Sequence, residues 1–207
     1  MSRPADPIRV YGHPLSGHAH RVELMCALLG LPTELITVDL LQGEQRQPEF
    51  LARNPFGQVP VIEDGGETLA DSNAILVYLA RRYDDSGRWY PEEPVAAAAV
   101  QRWLSLAAGP LAAGPATARL IKVFNAPRDR DQAVAVAETL LERMEQHLST
   151  RHFLVGETPT IADVAMYSYT ARAPEGDLSL QPYPAIRRWL ERIEALDGFS
   201  PMILAAA

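Results

Sequence analysis

Three short segments contain side chains whose types and spacing could serve chemistry. Ser16 lies between a predicted strand and a predicted helix, where the start of the helix carries positive partial charge. A hydroxyl that donates a hydrogen bond to sulfur at such a place favours the thiolate over the thiol. Further along, Val59 and Pro60 end a turn-rich segment, and Asp71 and Ser72 open another helix. In this order the segments could bind a short, charged peptide and place Ser16 beside its thiol.

The hydrophobic pattern predicts a small α/β unit that positions these segments. Strands at residues 8–11 and 34–38 flank a helix over residues 17–30, which gives a βαβ unit with a right-handed crossover. A hairpin with its turn at residues 63–66 and a helix at residues 73–83 follow. The resulting order of strands and helices resembles that of a thioredoxin-like domain.

The rest of the chain is predicted to be helical. Residues 93–118 are rich in alanine, and Pro110 and Pro115 are expected to bend or break that helix. Thr160 and Asp163 have the spacing of a capping box, in which each side chain binds the other residue's backbone N–H. No convincing strand pattern occurs in this half of the sequence.

A polar, turn-rich segment at residues 84–91 predicts a linker between the two halves. We therefore expect one domain at residues 1–83 and a second domain at residues 92–207. The predicted fold class is an α/β thioredoxin-like N-terminal domain joined to an all-α C-terminal domain.

The composition and charge disfavour several classes of function. The chain has 207 residues and a net charge of −7, which disfavours non-specific binding to nucleic acid. Cys26 is the single cysteine, which rules out an internal disulfide and a CxxC redox pair. No apolar run reaches the roughly 18 residues that suggest a membrane span, and residues 1–7 lack the apolar core of a secretory signal. We expect a cytoplasmic protein with no membrane partner.

Together these segments resemble the glutathione S-transferase family, and the likeness covers nearly the whole chain. The sequence is similar above all to the serine-type classes, in particular the phi class and its bacterial relatives. The motifs that carry the resemblance are residues 13–16 followed by Arg21 and Val22, residues 54–60, residues 63–65, residues 71–75 and the helix cap at residues 160–163.

The resemblance implies a glutathione site in the first domain. Ser16 would stabilise the glutathione thiolate without being a nucleophile itself. Val59 would precede a cis-proline, Pro60, and pair its backbone with the cysteinyl part of glutathione. Asp71 and Ser72 would hold the γ-glutamyl ammonium and carboxylate at a helix N-terminus. The ordinary structural alternatives are helix caps at Ser16 and Ser72 and a trans-proline at Pro60.

Three further residues are expected to bind the rest of glutathione. Gln45 and Arg46 align with a histidine and a lysine that hold the glycyl carboxylate in the phi class. Arg46 keeps the positive charge, whereas Gln45 departs from the family pattern. Gln58 could reach the cysteinyl or glycyl backbone, or point to water as a residue at the edge of a strand.

Tyr11 competes with Ser16 for the place beside the sulfur. Tyrosine-type members of the family present a phenol at the end of the first strand, where Tyr11 lies. The motif around Ser16 favours the serine, and Tyr11 is then expected to pack beneath the edge of the sheet. His13, His18 and His20 lie nearby, but a metal site would need a carboxylate or thiolate within reach, and we expect no metal.

The resemblance implies an activity typical of detoxification, the attack of glutathione thiolate on a small hydrophobic electrophile. The electrophile is expected where the sulfur meets the helical domain. Family members are usually homodimers, which implies the same here. Two alternatives stay open on the same fold: a glutathione-dependent thiol-disulfide oxidoreductase or peroxidase, and a non-enzymatic binding protein.

Overall fold

A computed structural model describes residues 3–205 of the chain. These residues form two compact units. The first contains the residues up to Gly87 together with the segment Asp197–Leu204, and the second contains Arg88–Leu196. The segment near the end of the chain therefore packs with the α/β unit.

The first unit has the thioredoxin-like order of elements that the sequence predicts. Its elements are β1 (Ile8–Gly12), α1 (Gly17–Leu28), β2 (Thr33–Thr37), α2 (Pro48–Leu51), β3 (Val61–Asp64), β4 (Glu67–Ala70) and α3 (Ser72–Tyr83). The strands form one sheet in the order β2-β1-β3-β4. β1 is parallel to β2, and β3 is antiparallel to both β1 and β4.

Helix α1 buries the apolar face that its spacing predicts. Val22, Met25 and Cys26 all lie in the core. The helix ends at Leu28, two residues earlier than predicted, and Gly30 follows with a φ of 63°. Glycine adopts this left-handed conformation without strain, which lets the chain turn back into β2.

The hairpin between β3 and β4 is tighter than the sequence suggests. The predicted turn at residues 63–66 is wrong in its first half, because Glu63 and Asp64 belong to β3. Gly65 and Gly66 form the turn, with φ values of 57° and 92°. A two-residue hairpin needs positive φ at its two central positions, and Gly65 and Gly66 occupy both of them.

The sheet brings the candidate segments to one edge. In the strand register, Gly12 lies opposite Thr37, and Val61 lies opposite both Tyr11 and Ala70. β1, β2 and β4 therefore end at the edge where β3 begins. The segments that follow β1, β2 and β4, and the segment that precedes β3, all leave the sheet there.

The second unit is helical, as predicted. Its helices are α4 (Pro94–Ala108), α5 (Thr117–Phe124), α6 (Arg130–Leu148), α7 (Ile161–Ala171) and α8 (Pro184–Glu194). The predicted break in the alanine-rich stretch is a π-helical turn at Ala112–Ala116, which contains Pro115. Within residues 3–205, no helix combines the length and the apolar character needed to cross a bilayer.

The predicted capping box at the start of α7 is confirmed, and Asp163 extends it. The Asp163 carboxylate accepts the Thr160 N–H at 2.9 Å, and Thr160 Oγ1 accepts the Ala162 N–H at 3.2 Å. Asp163 also accepts the Leu154 N–H and the Trp189 Nε1–H, both at 2.9 Å. Burial raises the pKa of this carboxyl, and the hydrogen bonds oppose that shift. One side chain therefore ties α7 to α8 and to the preceding loop.

Replacing Asp163 with alanine should lower the free energy of unfolding of the second unit by about 3 kcal/mol or more, because buried donors lose their acceptor. The three tryptophans, Trp89, Trp103 and Trp189, all lie in this unit, so their fluorescence reports its unfolding by denaturant. The matched control is Asp131→Ala in the first turn of α6, which should cost about 0.5 kcal/mol. Equal losses in the two variants would contradict the role given to Asp163.

Candidate functional site

Ser16 caps helix α1 and keeps a hydrogen to donate. Its backbone is extended, with φ −86° and ψ 114°, and its Oγ accepts the Ala19 N–H at 3.2 Å. The Ser16 N–H donates to the His13 carbonyl at 2.8 Å, which fixes the tight turn before the helix. Capping uses an oxygen lone pair and leaves the hydroxyl hydrogen available. The cap and the predicted thiolate contact are therefore compatible in one half-buried side chain.

The Tyr11 hydroxyl donates its hydrogen to a carboxylate of the sheet, Glu63 of β3. It donates to Glu63 at 2.9 Å, and the ring lies 5.3 Å from the Arg9 guanidinium and 4.8 Å from that of Arg53. The side chain is buried against Phe50 of α2. Burial and the hydrogen bond to Glu63 raise the pKa of the Tyr11 phenol. A carboxylate and two guanidinium groups therefore surround this phenol.

The peptide bond between Val59 and Pro60 is cis. Buried Asn54 shapes the turn before it, donating to the Gln58 carbonyl at 2.8 Å and accepting the Phe56 N–H at 3.1 Å. Within residues 3–205, the N–H and C=O of Val59 have no hydrogen-bond partner. This edge of the sheet therefore offers an unpaired N–H and an unpaired C=O, both of Val59, to an extended ligand.

The segment after β2 packs against the turn before β3. Gly43, with a φ of 75°, starts a 3₁₀ turn that contains Gln45 and Arg46. A Cβ on Gly57 would lie 2.9 Å from the Gln45 carbonyl oxygen, so only glycine fits there. Arg46 is exposed and makes no ion pair within the described chain. Gln45 Oε1 is buried without a described partner, and the Gln58 side chain is exposed.

Asp71, not Ser72, caps helix α3. Asp71 Oδ1 accepts the Asn73 N–H at 3.0 Å and the Ala74 N–H at 2.9 Å. Its φ of 70° is uncommon for a residue other than glycine, and such strain is often found at functional sites. Ser72 is the first residue of the helix and is buried. The alternative of Ser72 as the cap is therefore wrong, because the carboxylate of Asp71 already satisfies the first amides.

Two residues of α1 reach the start of α3. Arg21 Nη1 donates to Ser72 Oγ at 3.1 Å and to His18 Nδ1 at 2.9 Å. Burial, and then the charge of Arg21, lower the pKa of His18 to about 3. Sequence reasoning assigned no role to this pair. The spacing of His18 and Arg21, three apart on one helix, was the available signal that they meet.

The three histidines near Ser16 have separate partners. His18 accepts from Arg21, and His20 Nε2 donates to the Ser200 carbonyl at 2.9 Å. His13 Nδ1 accepts the Leu15 N–H at 3.2 Å. No group of three potential metal-binding side chains occurs in the part of the chain that the structure describes.

Both halves of the chain match one family. The profile described as "Glutathione S-transferase, N-terminal domain" matches residues 6–81. The profile described as "Glutathione S-transferase, C-terminal domain" matches residues 108–197.

Relatives and solved structures agree with these matches. Glutathione S-transferase 3 of Zea mays is 32% identical, over 96% of this chain and 94% of that protein. Glutathione S-transferase theta-2 of Mus musculus is 29% identical, over 92% of this chain and 82% of that protein. The crystal structure of a glutathione S-transferase from Pseudomonas fluorescens superposes with a TM-score of 0.89 at 35% identity, covering 96% of this chain and all of that one. Two domain profiles and full-length likeness lead to one conclusion: the chain belongs to the glutathione S-transferase family.

Proposed function

We propose that this protein transfers glutathione, as its thiolate, to the electrophilic carbon of small apolar compounds. The observation that carries the proposal is the convergence of the candidate segments on one edge of the sheet, where the N–H and C=O of Val59 are unpaired. Membership of the glutathione S-transferase family supports the same activity.

The γ-glutamyl group binds at the start of α3 in this proposal. A carboxylate is favoured there by the helix dipole, by the N–H of Ser72 and by its hydroxyl. Asp71 uses only Oδ1 in capping, which leaves Oδ2 for the γ-glutamyl ammonium. The ammonium thus meets the Asp71 carboxylate, and the carboxylate meets the positive end of the α3 dipole.

The rest of the tripeptide follows the edge of the sheet. The cysteinyl N–H and C=O pair with Val59 as a short added strand. The glycyl carboxylate binds Arg46, whose planar guanidinium suits a bidentate contact. Gln45 lies in the same 3₁₀ turn as Arg46, and Gln58 lies in the turn before β3. We assign both side chains to the glycyl end of glutathione.

Ser16 and the start of α1 then activate the sulfur. A free thiol has a pKa of about 8.5, so most of it is protonated at neutral pH. The Ser16 O–H donates to the sulfur, and the helix dipole stabilises its negative charge. The thiol proton leaves to solvent, and the sulfur electron pair forms the C–S bond as the leaving group departs with its own pair. Each unit by which the pKa falls corresponds to about 1.4 kcal/mol.

We further propose that the chain is a serine-type member of the family, near the phi class. Support comes from Ser16, which stands at the N-cap of α1, and from Tyr11, whose phenol donates to Glu63. Conjugation is favoured over thiol-disulfide chemistry by the state of the single cysteine. Cys26 is buried, and burial raises the pKa of its thiol to about 12, so it is a poor redox nucleophile.

The Ser16→Ala variant should lower kcat/KM with an aryl halide by about ten-fold or more, because the bound thiol is then less acidic. Ser16→Thr keeps the hydroxyl and should retain most of the activity. Glycine caps a helix almost as well as serine. Ser16→Gly should therefore lower kcat/KM as much as Ser16→Ala does, but without destabilising the start of α1. Steady-state kinetics across a range of pH measures all three.

Tyr11→Phe is the comparison that separates the two candidate hydroxyls. It should change kcat/KM little, since the phenol already donates to Glu63. Abolished activity in Tyr11→Phe with normal activity in Ser16→Ala would reverse the assignment.

The Arg46→Ala variant should raise the KM for glutathione by about ten-fold with little change in kcat, because a charge-assisted hydrogen bond to the glycyl carboxylate is lost. Arg187→Ala, at an exposed position of α8, is the matched control and should leave KM unchanged. With γ-glutamylcysteine, which has no glycyl carboxylate, the Arg46 variant should equal the unsubstituted protein. An equal loss with both thiols would argue against this contact.

We also expect a homodimer, as the family resemblance implies, and a location in the cytoplasm. Phe56 is 83% exposed in the isolated chain, and contact with a second copy would cover it. Sedimentation analysis should give twice the mass of the chain, and Phe56→Ser should shift the equilibrium towards monomer. A monomer at micromolar concentration would contradict this expectation.

A further inference from the structure

We infer that Arg21 and His18 are positioning residues for the γ-glutamyl carboxylate of glutathione, and that they act through Ser72. The inference rests on the proposed function, since it concerns the ligand group assigned to the start of α3. It adds two side chains that would not touch the ligand but would decide which way the Ser72 hydroxyl points.

A single nitrogen of Arg21 holds two acceptors. Nη1 lies 2.9 Å from His18 Nδ1 and 3.1 Å from Ser72 Oγ. A guanidinium Nη carries two hydrogens and accepts none, so one hydrogen goes to each acceptor. Arg21 is 0% exposed and Ser72 is 4% exposed, so bulk water does not compete for these bonds.

The contact with Arg21 fixes the protonation of His18. Nδ1 is the unprotonated nitrogen, because its partner is a donor that cannot accept in return. With a pKa of about 3, set by burial and by the Arg21 charge, the ring is neutral at physiological pH. Nδ1 has one lone pair and two neighbours, Arg21 Nη1 at 2.9 Å and Ser72 Oγ at 3.4 Å. The lone pair accepts from Arg21, which is the shorter contact.

Ser72 is left as a donor. Its Oγ accepts from Arg21, and His18 Nδ1, at 3.4 Å, is already bound by the same guanidinium. The hydroxyl hydrogen is therefore available to a group at the start of α3. A hydroxyl that accepts from a cation is polarised and becomes a stronger donor, which suits a carboxylate.

The same bonds join the two parts of the proposed site. Arg21 and His18 lie on α1, whose first turn is capped by Ser16, and Ser72 begins α3. The contact between Arg21 and Ser72 therefore sets the distance from the sulfur position to the carboxylate position. Arg21 and His18 would not strengthen the binding of a glutathione analogue that lacks the γ-glutamyl carboxylate.

The test compares two variants of His18 in the full-length protein. His18→Asn keeps an acceptor oxygen near the position of Nδ1 and should bind glutathione within about two-fold of the unsubstituted protein. His18→Leu removes the acceptor, frees Arg21 from its geometry and should weaken binding about ten-fold, which is ~1.4 kcal/mol. Calorimetry with glutathione measures both, and His152→Leu, at an exposed position of the second unit, is the control for a lost histidine.

A second ligand and a second background separate positioning from a structural role. The analogue in which a 4-aminobutyryl group replaces γ-glutamate should bind His18→Leu and the unsubstituted protein equally. In a Ser72→Ala background, His18→Leu should have no further effect on glutathione binding.

Three results would overturn the inference: unchanged glutathione binding in His18→Leu, an equal loss for the analogue, or an undiminished effect in the Ser72→Ala background. If the unsubstituted protein bound no glutathione, the proposed function itself would fail, which is a separate result.

Discussion

The pairing of β3 with β1 is the constraint on which the candidate site depends. Because β3 runs antiparallel to β1, its first residue, Val61, lies beside the end of β1. The peptide group of Val59 therefore comes next to the turn that leads to Ser16. The hairpin then returns β4 to the same edge, and α3 begins there with Ser72. A change of register by one residue would turn the side chains of β3 to the opposite face of the sheet and shift Val59 along β1.

Local groups can favour an anionic ligand on a chain that is acidic overall. The net charge is −7, yet the candidate contacts for the carboxylates and the thiolate are two helix N-termini and one exposed cation, Arg46. Helix dipoles act over the first turn only, so the charge elsewhere on the surface does not cancel them. Arg21 is buried and bound to Ser72, whereas Arg46 is exposed. The electrostatics are local, and for that reason composition alone says little about the ligand.

The fold was predictable where local pattern decides it. The strand and helix order, the cap at Ser16 and the break at Pro115 all follow from short-range signals in the sequence. The cap of α3 was not, since Asp71 caps the helix with a positive φ, which is uncommon for a residue other than glycine. The contact of Arg21 with Ser72 joins residues 51 positions apart, and only the packing of α1 on α3 creates it.

The most direct measurement is a crystal structure of the protein with bound glutathione. We predict that the cysteinyl N–H and C=O pair with Val59, that the sulfur lies within hydrogen-bond distance of Ser16 Oγ, and that the γ-glutamyl carboxylate contacts Ser72. A tripeptide bound away from this edge of the sheet, or a sulfur held by the Tyr11 phenol, would contradict it.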